Sequence, residues 1–185
     1  MNIIEKGACI GKGTRISYFS HVLASAVIGD ECVLGQNVFV GNHVKIGNKC
    51  KIQNNVSLFE GVELEDYVFC GPSMVFTNVI NPRCKFPQND ARFYKKTLIK
   101  EGASIGANAT IVCGNTLGMH CFIGSGAVVT KDVPDYAMII GVPGRQSGWM
   151  SEGGEKLIFD SRGKAVCKKS NTVYELTDGR VTRVS

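Results

Sequence analysis

Residues 28–52 read IGDECVLGQNVFVGNHVKIGNKCKI, with an aliphatic residue at every sixth position and a glycine directly after the first four of them. The same frame extends in both directions. Its apolar positions are Ile10, Ile16, Val22, Ile28, Leu34, Val40, Ile46, Ile52, Leu58, Leu64, Cys70 and Phe76 and, after an interruption, Ile99, Ile105, Ile111, Leu117, Ile123 and Val129. An α-helix repeats every 3.6 residues and a plain strand every two, so neither produces this spacing.

Six residues fit one short strand followed by one corner. Gly and Asn tolerate the positive φ of such corners, and the chain has 22 Gly beside only 5 Pro. Three units close a triangular coil of 18 residues, and stacked coils pair strand on strand at about 4.8 Å. Residues 10–81 supply four coils and residues 99–134 two more, which gives a prism about 29 Å tall. We therefore predict an all-β fold, a parallel β-helix of hexapeptide repeats.

A first interruption of the period covers residues 82–98. It contains five cations and one acid, Arg83, Lys85, Arg92, Lys95 and Lys96 against Asp90, together with three aromatic residues. A long insertion in a tight solenoid is usually functional or disordered. The charge and the aromatic rings predict a lid over an anionic ligand. The alternative is a solvated loop that packs on a neighbour.

A second interruption follows Pro143. We predict a β-helix domain over residues 1–145 and a small β-rich extension over residues 146–185. Within the extension, short strands are expected at Lys156–Phe159, Ala165–Cys167 and Thr172–Leu176, separated by Gly- and Asp-containing turns. Such an extension would cap the open end of the solenoid, which otherwise exposes unpaired backbone groups.

The composition limits the classes of function. Of the 185 residues, 44% are hydrophobic and 20% charged, which excludes general disorder. No apolar stretch approaches the length of a membrane helix, and the N-terminal residues do not resemble a signal peptide. We expect a cytoplasmic protein without membrane insertion. The net charge of +5 is dispersed, so we expect no nucleic-acid partner; it suits a polyanionic small molecule.

The eight cysteines contain no CxxC pair. Together with the cytoplasmic prediction, this favours eight reduced thiols, most of them acting as small core residues. Five fall on core or corner positions of the six-residue frame, namely Cys32, Cys50, Cys70, Cys113 and Cys121. We predict no disulfides.

The period also predicts which residues are neighbours, because residues 18 apart stack at one corner. Asn78 therefore lies over Glu60, and Glu60 over Asn42. If the insertion bulges from a corner without shifting the face, Cys113 and Lys131 continue this column. A polar column can bind a substrate, or it can be a solvated ladder of turn formers.

The three histidines are candidates for a general base. His21 precedes an inward aliphatic residue, so it points outward from a strand, and it is the best of the three. His43 and His120 fall at fourth positions of the repeat, near corners. The alternative is that all three are surface or interface residues. The chain has no closely spaced ligand pair, so zinc hydration chemistry is not expected.

The repeats resemble the hexapeptide acyltransferase superfamily, which implies left-handed winding, a homotrimer and acyl-CoA bound between adjacent subunits. Four segments narrow this resemblance: residues 34–41, 51–57, 69–83 and 141–152. Together they look like the acetyltransferases that modify the 3-amino group of UDP-2-acetamido-3-amino-2,3-dideoxy-glucuronate for lipopolysaccharide or O-antigen synthesis. The run FTNVINPR at 76–83 is its most specific part, and related dTDP-3-amino-sugar enzymes carry a similar run.

The resemblance implies roles for individual residues. Asn78 would contact the reacting sugar amine, and Arg83 closes the same motif. Arg145 ends the segment GVPGR. In the family, the corresponding segment lies near the end of the β-helix where the coenzyme binds. His21 matches a family histidine, although Ser17 and Tyr18 replace the preceding Trp and His. Some relatives carry a zinc ribbon here, but residues 150–153 and 167–170 contain a single cysteine, so we expect no metal.

The implied chemistry is attack of a neutral amine on the thioester of acetyl-CoA. An Asn side chain can orient the amine but cannot take its proton, and the departing thiolate can. The resemblance favours this mechanism over a histidine base. Backbone N–H groups at Gly106–Ala107 and Ser125–Gly126 are candidate donors to pantetheine or the oxyanion. Lys131 and Arg145 are candidate partners of the coenzyme A phosphates, or else solvated cations.

Two other functions remain open. The chain could be a hexapeptide O-acetyltransferase that activates a sugar hydroxyl with a histidine base. It could also be a non-catalytic β-helix scaffold that only assembles trimers.

Overall fold

The computed structural model describes all 185 residues and consists of short strands with one turn of 3-10 helix at Ala91–Phe93. Sheet A contains β1 (Ile3–Ile4), β4 (His21–Val22), β7 (Phe39–Val40), β10 (Ser57–Leu58), β13 (Val75–Phe76), β16 (Thr110–Ile111) and β19 (Val128–Val129). Sheet B contains β2 (Cys9–Ile10), β5 (Val27–Ile28), β8 (Lys45–Ile46), β11 (Val62–Leu64), β14 (Thr97–Ile99) and β17 (Thr116–Leu117).

Sheet C contains β3 (Arg15–Ile16), β6 (Val33–Leu34), β9 (Lys51–Ile52), β12 (Phe69–Cys70), β15 (Ser104–Ile105) and β18 (Phe122–Ile123), and continues into β20 (Ala137–Ile140), β21 (Arg145–Met150) and β22 (Lys156–Leu157). Sheet D contains β23 (Lys164–Val166), β24 (Val173–Thr177) and β25 (Arg180–Arg183). The chain visits sheets A, B and C in turn, so each coil has an A–B, a B–C and a C–A corner.

The strand register is the one that the six-residue period predicts. Val22 pairs with Val40, and Val40 with Leu58, in parallel and 18 residues apart. The predicted parallel β-helix is therefore confirmed, and the architecture is consistent with left-handed winding. The solenoid begins one repeat earlier than the frame that starts at Ile10, because Ile3 and Ile4 already pair with β4. The inward aliphatic side chains form one core of 32 buried residues.

The corners use more residue types than Gly and Asn. Positive φ angles occur at 13 non-glycine residues, among them His43, Tyr67 and His120. A side chain in this region costs about 1–2 kcal/mol per residue. Hydrogen bonds between successive coils offset that cost, since for example the His120 N–H donates to the Glu101 carbonyl at 2.9 Å. Corner geometry is thus imposed by coil stacking.

The insertion bulges from the A–B corner between β13 and β14 and leaves the coil order intact. Val62 pairs with Thr97, and Leu64 with Ile99, so the chain re-enters sheet B in register. The returning chain passes over Gly61, whose φ is +100° and where a Cβ atom would lie 3.0 Å from the Lys95 carbonyl oxygen. A side chain at residue 61 would therefore displace the end of the loop.

The C-terminal end of the solenoid is closed by residues 137–150. Strand β21 pairs antiparallel with β20, and the turn between them covers sheet A. The Val128 N–H donates to the Gly141 carbonyl at 3.1 Å, and the Gly144 N–H donates to the Val128 carbonyl at 2.7 Å. The residues that close this end thus lie on both sides of the predicted boundary at residue 145, and the division into two domains stays a prediction.

Sheet D and β22 lie against the last B–C corners around a second small core. His120 stacks on Tyr136 with ring centroids 5.3 Å apart, and the Tyr136 hydroxyl donates to Glu152 Oε1 at 3.1 Å. Arg183 Nη1 donates to Glu152 Oε2 at 3.0 Å. Two of the predicted tail strands are shifted by a residue, one is shorter, and β25 was not predicted. The structure has no helix with the length and hydropathy required to cross a membrane.

Candidate functional site

A cavity of about 1030 Å³ lies between the insertion and the A–B corner of the solenoid. The solenoid contributes Phe59, Phe76, Thr77, Asn78, Val79, Ile80 and Val112 to its wall. The loop contributes Pro82, Arg83, Cys84, Pro87, Gln88, Asn89 and Tyr94. This volume is at the upper end of the range for small-molecule binding sites. The lining contains no Asp, Glu, His or Lys, so Arg83 supplies its only charged side chain.

Asn78 lies on the solenoid wall of the cavity, directly where the loop begins. Its backbone carbonyl accepts a hydrogen bond from the Lys95 N–H at 2.9 Å. Its side-chain amide has no hydrogen-bond partner within the chain, and the residue is half-buried. A fixed backbone with a free amide is suited to contact a polar ligand group.

The column predicted around Asn78 exists, but its members do not share one site. Phe76 pairs with Ile111 and Ile111 with Val129, so Cys113 and Lys131 follow Asn78 along the A–B corner. Cys113 is buried, with 2% of its surface exposed, and Lys131 is exposed. Of the column, only Asn78 lines the cavity.

The other two polar members of the column lie on the N-terminal side of Asn78. Asn42 Oδ1 accepts a hydrogen bond from the Ser25 hydroxyl at 3.0 Å, as in a corner ladder. Glu60 directly follows Phe59, which does line the cavity. Substrate binding by Glu60 and Asn42 stays a prediction.

Arg83 lies at the loop side of the cavity. Its Nη1 donates to the Pro82 carbonyl at 3.0 Å, and the rest of the guanidinium is free. Arg92 faces elsewhere and pairs with Asp90 at 3.0 Å. The Arg92 backbone N–H and guanidinium together hold the pKa of Asp90 below its usual value. Lys85, Lys95 and Lys96 do not line the cavity, so Arg83 is the only cationic residue of the loop that does.

His21 lies outside this cavity. It is on β4, three strands from β13, which corresponds to about 14 Å along sheet A. Its Nε2 atom is 3.1 Å from Glu5 Oε1, and its ring contacts Phe39 edge-on at 5.9 Å. His43 is exposed at a corner. The His120 ring stacks on Tyr136, and its Nε2 atom lies 3.8 Å from Glu152 Oε1.

The predicted backbone donors divide into two groups. The Gly106 N–H donates to Ile123 at 2.8 Å and the Gly126 N–H to Ala107 at 2.8 Å, so both are used by the solenoid. The N–H groups of Ala107 and Ser125 have no acceptor within the chain. These two free donors are stacked one coil apart at the C–A corner.

The cationic residues predicted to meet coenzyme phosphates lie at separate corners. Lys131 is at the A–B corner. Arg145 starts β21 beside Ile140, on the C–A side, and its Nη1 donates to the Gly144 carbonyl at 3.0 Å. Six residues separate Ser125 from Lys131, which spans at most about 20 Å. Within one chain, the free backbone N–H groups of Ala107 and Ser125 therefore lie at one edge of sheet A, and the cavity that contains Asn78 lies at the opposite edge.

All eight cysteines are free, and only Cys9 and Cys84 are exposed. Burial raises the pKa of Cys70 and of Cys121 to about 12. A hydrogen bond with Cys50 lowers the pKa of Cys32 to about 7 and raises that of Cys50. No group of three or more His, Cys, Asp or Glu side chains is arranged to hold a metal ion.

Sequence reasoning missed much of the cavity wall, including Phe59, Gln88, Asn89 and Tyr94. Phe59 could have been found, because it directly precedes Glu60 in the predicted column. The loop residues carry no periodic signal, so their positions depend on the fold of the insertion. The 18-residue register also implies that the Gly106 and Gly126 N–H groups donate hydrogen bonds to neighbouring coils.

Two family models match the solenoid, on either side of the insertion. The family described as bacterial transferase hexapeptide (six repeats) matches residues 25–60. The family described as hexapeptide repeat of succinyl-transferase matches residues 97–131. Both matched segments contain the hexapeptide repeats that the period predicts.

Curated relatives include sugar acetyltransferases. The chain is 42% identical over 91 residues to dTDP-3-amino-3,6-dideoxy-alpha-D-galactopyranose 3-N-acetyltransferase of Aneurinibacillus thermoaerophilus, which covers 49% of this chain and 46% of that protein. It is 31% identical over 81 residues to galactoside O-acetyltransferase of Lactococcus lactis subsp. lactis, covering 42% and 38%. The chain therefore spans less than half the length of these relatives.

Solved structures share the fold. A mutant of AntD, an N-acyltransferase from Bacillus cereus in complex with dTDP and coenzyme A, matches with a TM-score of 0.67 and 19% identity over 77% of this chain and 84% of that chain. LpxA, a UDP-N-acetylglucosamine acyltransferase from Bacteroides fragilis, matches with a TM-score of 0.66 and 20% identity over 80% and 58%. These matches support the β-helix architecture.

Proposed function

We propose that the protein is an acetyl-CoA-dependent N-acetyltransferase that acts on the 3-amino group of a nucleotide-linked amino sugar. The observation that carries this proposal is the free amide of Asn78 on the wall of a large cavity whose lining contains no Asp, Glu, His or Lys. The similarity to a dTDP-3-amino-sugar 3-N-acetyltransferase supports the same reaction. More specifically, we propose a substrate of the UDP-2-acetamido-3-amino-glucuronate type. The reaction would take place in the cytoplasm, and its product would be used to synthesise surface polysaccharide.

The proposed reaction transfers an acetyl group without a protein base. The Asn78 side-chain oxygen accepts a hydrogen bond from the neutral amine and directs its lone pair at the thioester carbon. The new C–N bond forms, the carbonyl π electrons move to oxygen, and backbone N–H groups stabilise this oxyanion. The oxyanion collapses, the C–S bond breaks, and the departing thiolate takes the proton from the nitrogen. The part of the cavity lining that this chain supplies contains no Asp, Glu, His or Lys, in keeping with this mechanism.

The insertion would act as a lid over the nucleotide sugar. Arg83 would pair with an anionic group of the substrate, and the aromatic ring of Tyr94 would close the side opposite the solenoid. Of residues 83–98, Thr97 and Leu98 already belong to β14. We propose that the exposed remainder of this loop becomes ordered when the nucleotide sugar binds.

The proposed assembly is a homotrimer with the site shared between subunits. Ala107 and Ser125 face away from the cavity of their own chain, across sheet A, so a neighbouring copy would bring its free N–H groups and Arg145 to the cavity. The outward positions of the sheet A strands support this contact, because none is Lys, Arg, Asp or Glu: they are Ile3, His21, Phe39, Ser57, Val75, Thr110 and Val128. Sheet B presents Lys45 and Glu63, and sheet C presents Arg15 and Lys51.

A second candidate function is acetyl transfer to a sugar hydroxyl. The contact of His21 Nε2 with Glu5 Oε1 at 3.1 Å favours it, because a carboxylate that orients an imidazole is typical of a general base. Replacing His21 with Ala would abolish this activity in a folded protein, whereas transfer to an amine would continue. A non-catalytic scaffold is the remaining alternative, and it would show no thermal stabilisation by acetyl-CoA or nucleotide sugars.

The decisive experiment is a thiol-release assay with acetyl-CoA and a panel of 3-amino and 4-amino nucleotide sugars. We expect coenzyme A release with 3-amino sugars, and mass spectrometry of the product should show one added acetyl group. Release only with hydroxyl acceptors would support the second candidate. No release with any acceptor, together with no thermal shift, would support the scaffold.

A further inference from the structure

Two threonines clamp the two ends of the insertion onto one corner of the next coil. The Cys113 N–H donates to Thr77 Oγ1 at 2.9 Å, where the loop leaves sheet A. The adjacent Gly114 N–H donates to Thr97 Oγ1 at 3.3 Å, where the loop enters sheet B. The φ of Gly114 is +89°, and neither of these two N–H groups has a backbone acceptor, so the threonine hydroxyl groups satisfy both donors.

The clamp surrounds Asn78. Thr77 directly precedes Asn78, and its own N–H donates to the Ile111 carbonyl at 3.1 Å. Lys95, which donates to the Asn78 carbonyl, lies two residues before Thr97. Thr97 is buried, with 1% of its surface exposed, so water cannot replace its hydroxyl group easily. The Asn78 backbone is therefore held from both sides while its amide stays free.

We infer that Thr77 and Thr97 are positioning residues that set the location of the Asn78 amide for acetyl transfer; the kinetic part of this inference rests on the proposed function. A displacement of about 1 Å can lower a rate by up to about 100-fold, so the placement of a single orienting amide matters. Neither threonine needs to contact the reacting atoms.

The kinetic test compares isosteric variants. Thr77→Val keeps the side-chain volume and removes the acceptor for the Cys113 N–H. We expect kcat to fall about 10-fold, with the KM for acetyl-CoA unchanged. Thr77→Ser restores the hydroxyl group and should bring kcat back to within about 2-fold of the native value, and Thr97→Val should behave like Thr77→Val.

The control is Thr14→Val. Thr14 Oγ1 accepts the Cys32 N–H at 2.9 Å, which is the same bond between successive coils, but it lies far from the cavity. We expect this variant to lower the melting temperature without lowering kcat. A native kcat in Thr77→Val, or an equal loss of kcat in Thr14→Val, would overturn the inference.

A second readout is independent of activity. In a crystal structure of Thr77→Val, we expect the Asn78 amide to be displaced and the bond from Lys95 to be lengthened. An unchanged Asn78 would refute the positioning role. If the native protein releases no coenzyme A with any amino sugar, the proposed function fails, and the position of Asn78 in this variant still decides whether the clamp sets it.

Discussion

The backbone N–H of Lys95 donates to the carbonyl of Asn78 at 2.9 Å, although residues 79–94 lie between them in the sequence. The loop therefore leaves and rejoins the solenoid at one point, as in compact loops whose ends are close together. Its neck is fixed by hydrogen bonds to the solenoid, and its exposed middle is free to adjust to a ligand. Asn78 combines a fixed backbone with a side chain that faces the cavity.

Variants of Asn78 test its proposed catalytic role. Asn78→Ala should lower kcat by about one to two orders of magnitude, because one orienting hydrogen bond is lost. Asn78→Asp should also fail near neutral pH, since a carboxylate favours the protonated amine. Steady-state kinetics at several pH values should show activity that rises as the sugar ammonium group loses its proton, not as a histidine does near pH 6.5. A fully active Asn78→Gly enzyme would reduce Asn78 to a turn residue.

Arg83 should govern affinity for the nucleotide sugar. Arg83→Glu should raise the KM for the sugar about 10-fold or more, because a charge-assisted hydrogen bond is replaced by repulsion. The KM for acetyl-CoA should stay within about 2-fold. Lys85→Glu is the matched control, since it makes the same charge change on the same loop outside the cavity lining. Equal effects on both KM values would contradict a lid specific for the sugar.

Cys84 reports occupancy of the cavity. In the native protein, a thiol reagent should modify Cys9 and Cys84 rapidly and the six buried thiols slowly. A nucleotide sugar at ten times its Kd should slow modification of Cys84 about tenfold, because only the unoccupied fraction reacts. Cys9 lies on β2, near the N-terminal end of the solenoid and away from the cavity, so its modification rate is the internal control. Peptide mass mapping gives both rates, and parallel slowing of Cys9 and Cys84 would argue against binding in this cavity.

The outward face of sheet A should form the contact between subunits. Light scattering should give three times the 20.0 kDa chain mass at micromolar concentration. Val75→Glu would bury an unpaired carboxylate in this contact and should dissociate the trimer. Val27→Glu is the control, because Val27 has the same 46% exposure on the outward side of sheet B. A native protein that scatters as a monomer would defeat both the trimer and the shared site.

Alkaline pH should loosen the C-terminal extension before the solenoid. Burial raises the pKa of Tyr136 and of Tyr174 above their ordinary values, and the nearby Glu152 carboxylate adds to both shifts. Because the folded pKa is raised, the stability that these residues contribute is complete below about pH 10 and is lost as the pH rises further. Absorbance titration should show Tyr136 and Tyr174 ionising above about pH 10, together with the loss of structure in the extension. Ionisation of these two residues at or below about pH 10 would contradict the prediction.

The sequence by itself determined the solenoid, because the six-residue period leaves one arrangement for the inward aliphatic side chains. Each strand contributes only about two residues, so local propensity carries little information, and the repetition supplies what single strands lack. The period also fixed the column of Asn42, Glu60, Asn78, Cys113 and Lys131, since the insertion re-enters sheet B in register.

Only the tertiary structure decided which members of that column can act together. Glu60 and Lys131 share a corner with Asn78 but do not line its cavity, because the loop folds over one level of the solenoid. The three corners also differ in use: the A–B corner carries the cavity, the B–C corner carries the extension, and the C–A corner carries the free N–H groups of Ala107 and Ser125. A period of 18 residues makes these corners equivalent in the sequence. They become distinct through aperiodic segments, whose contacts depend on the folded chain as a whole.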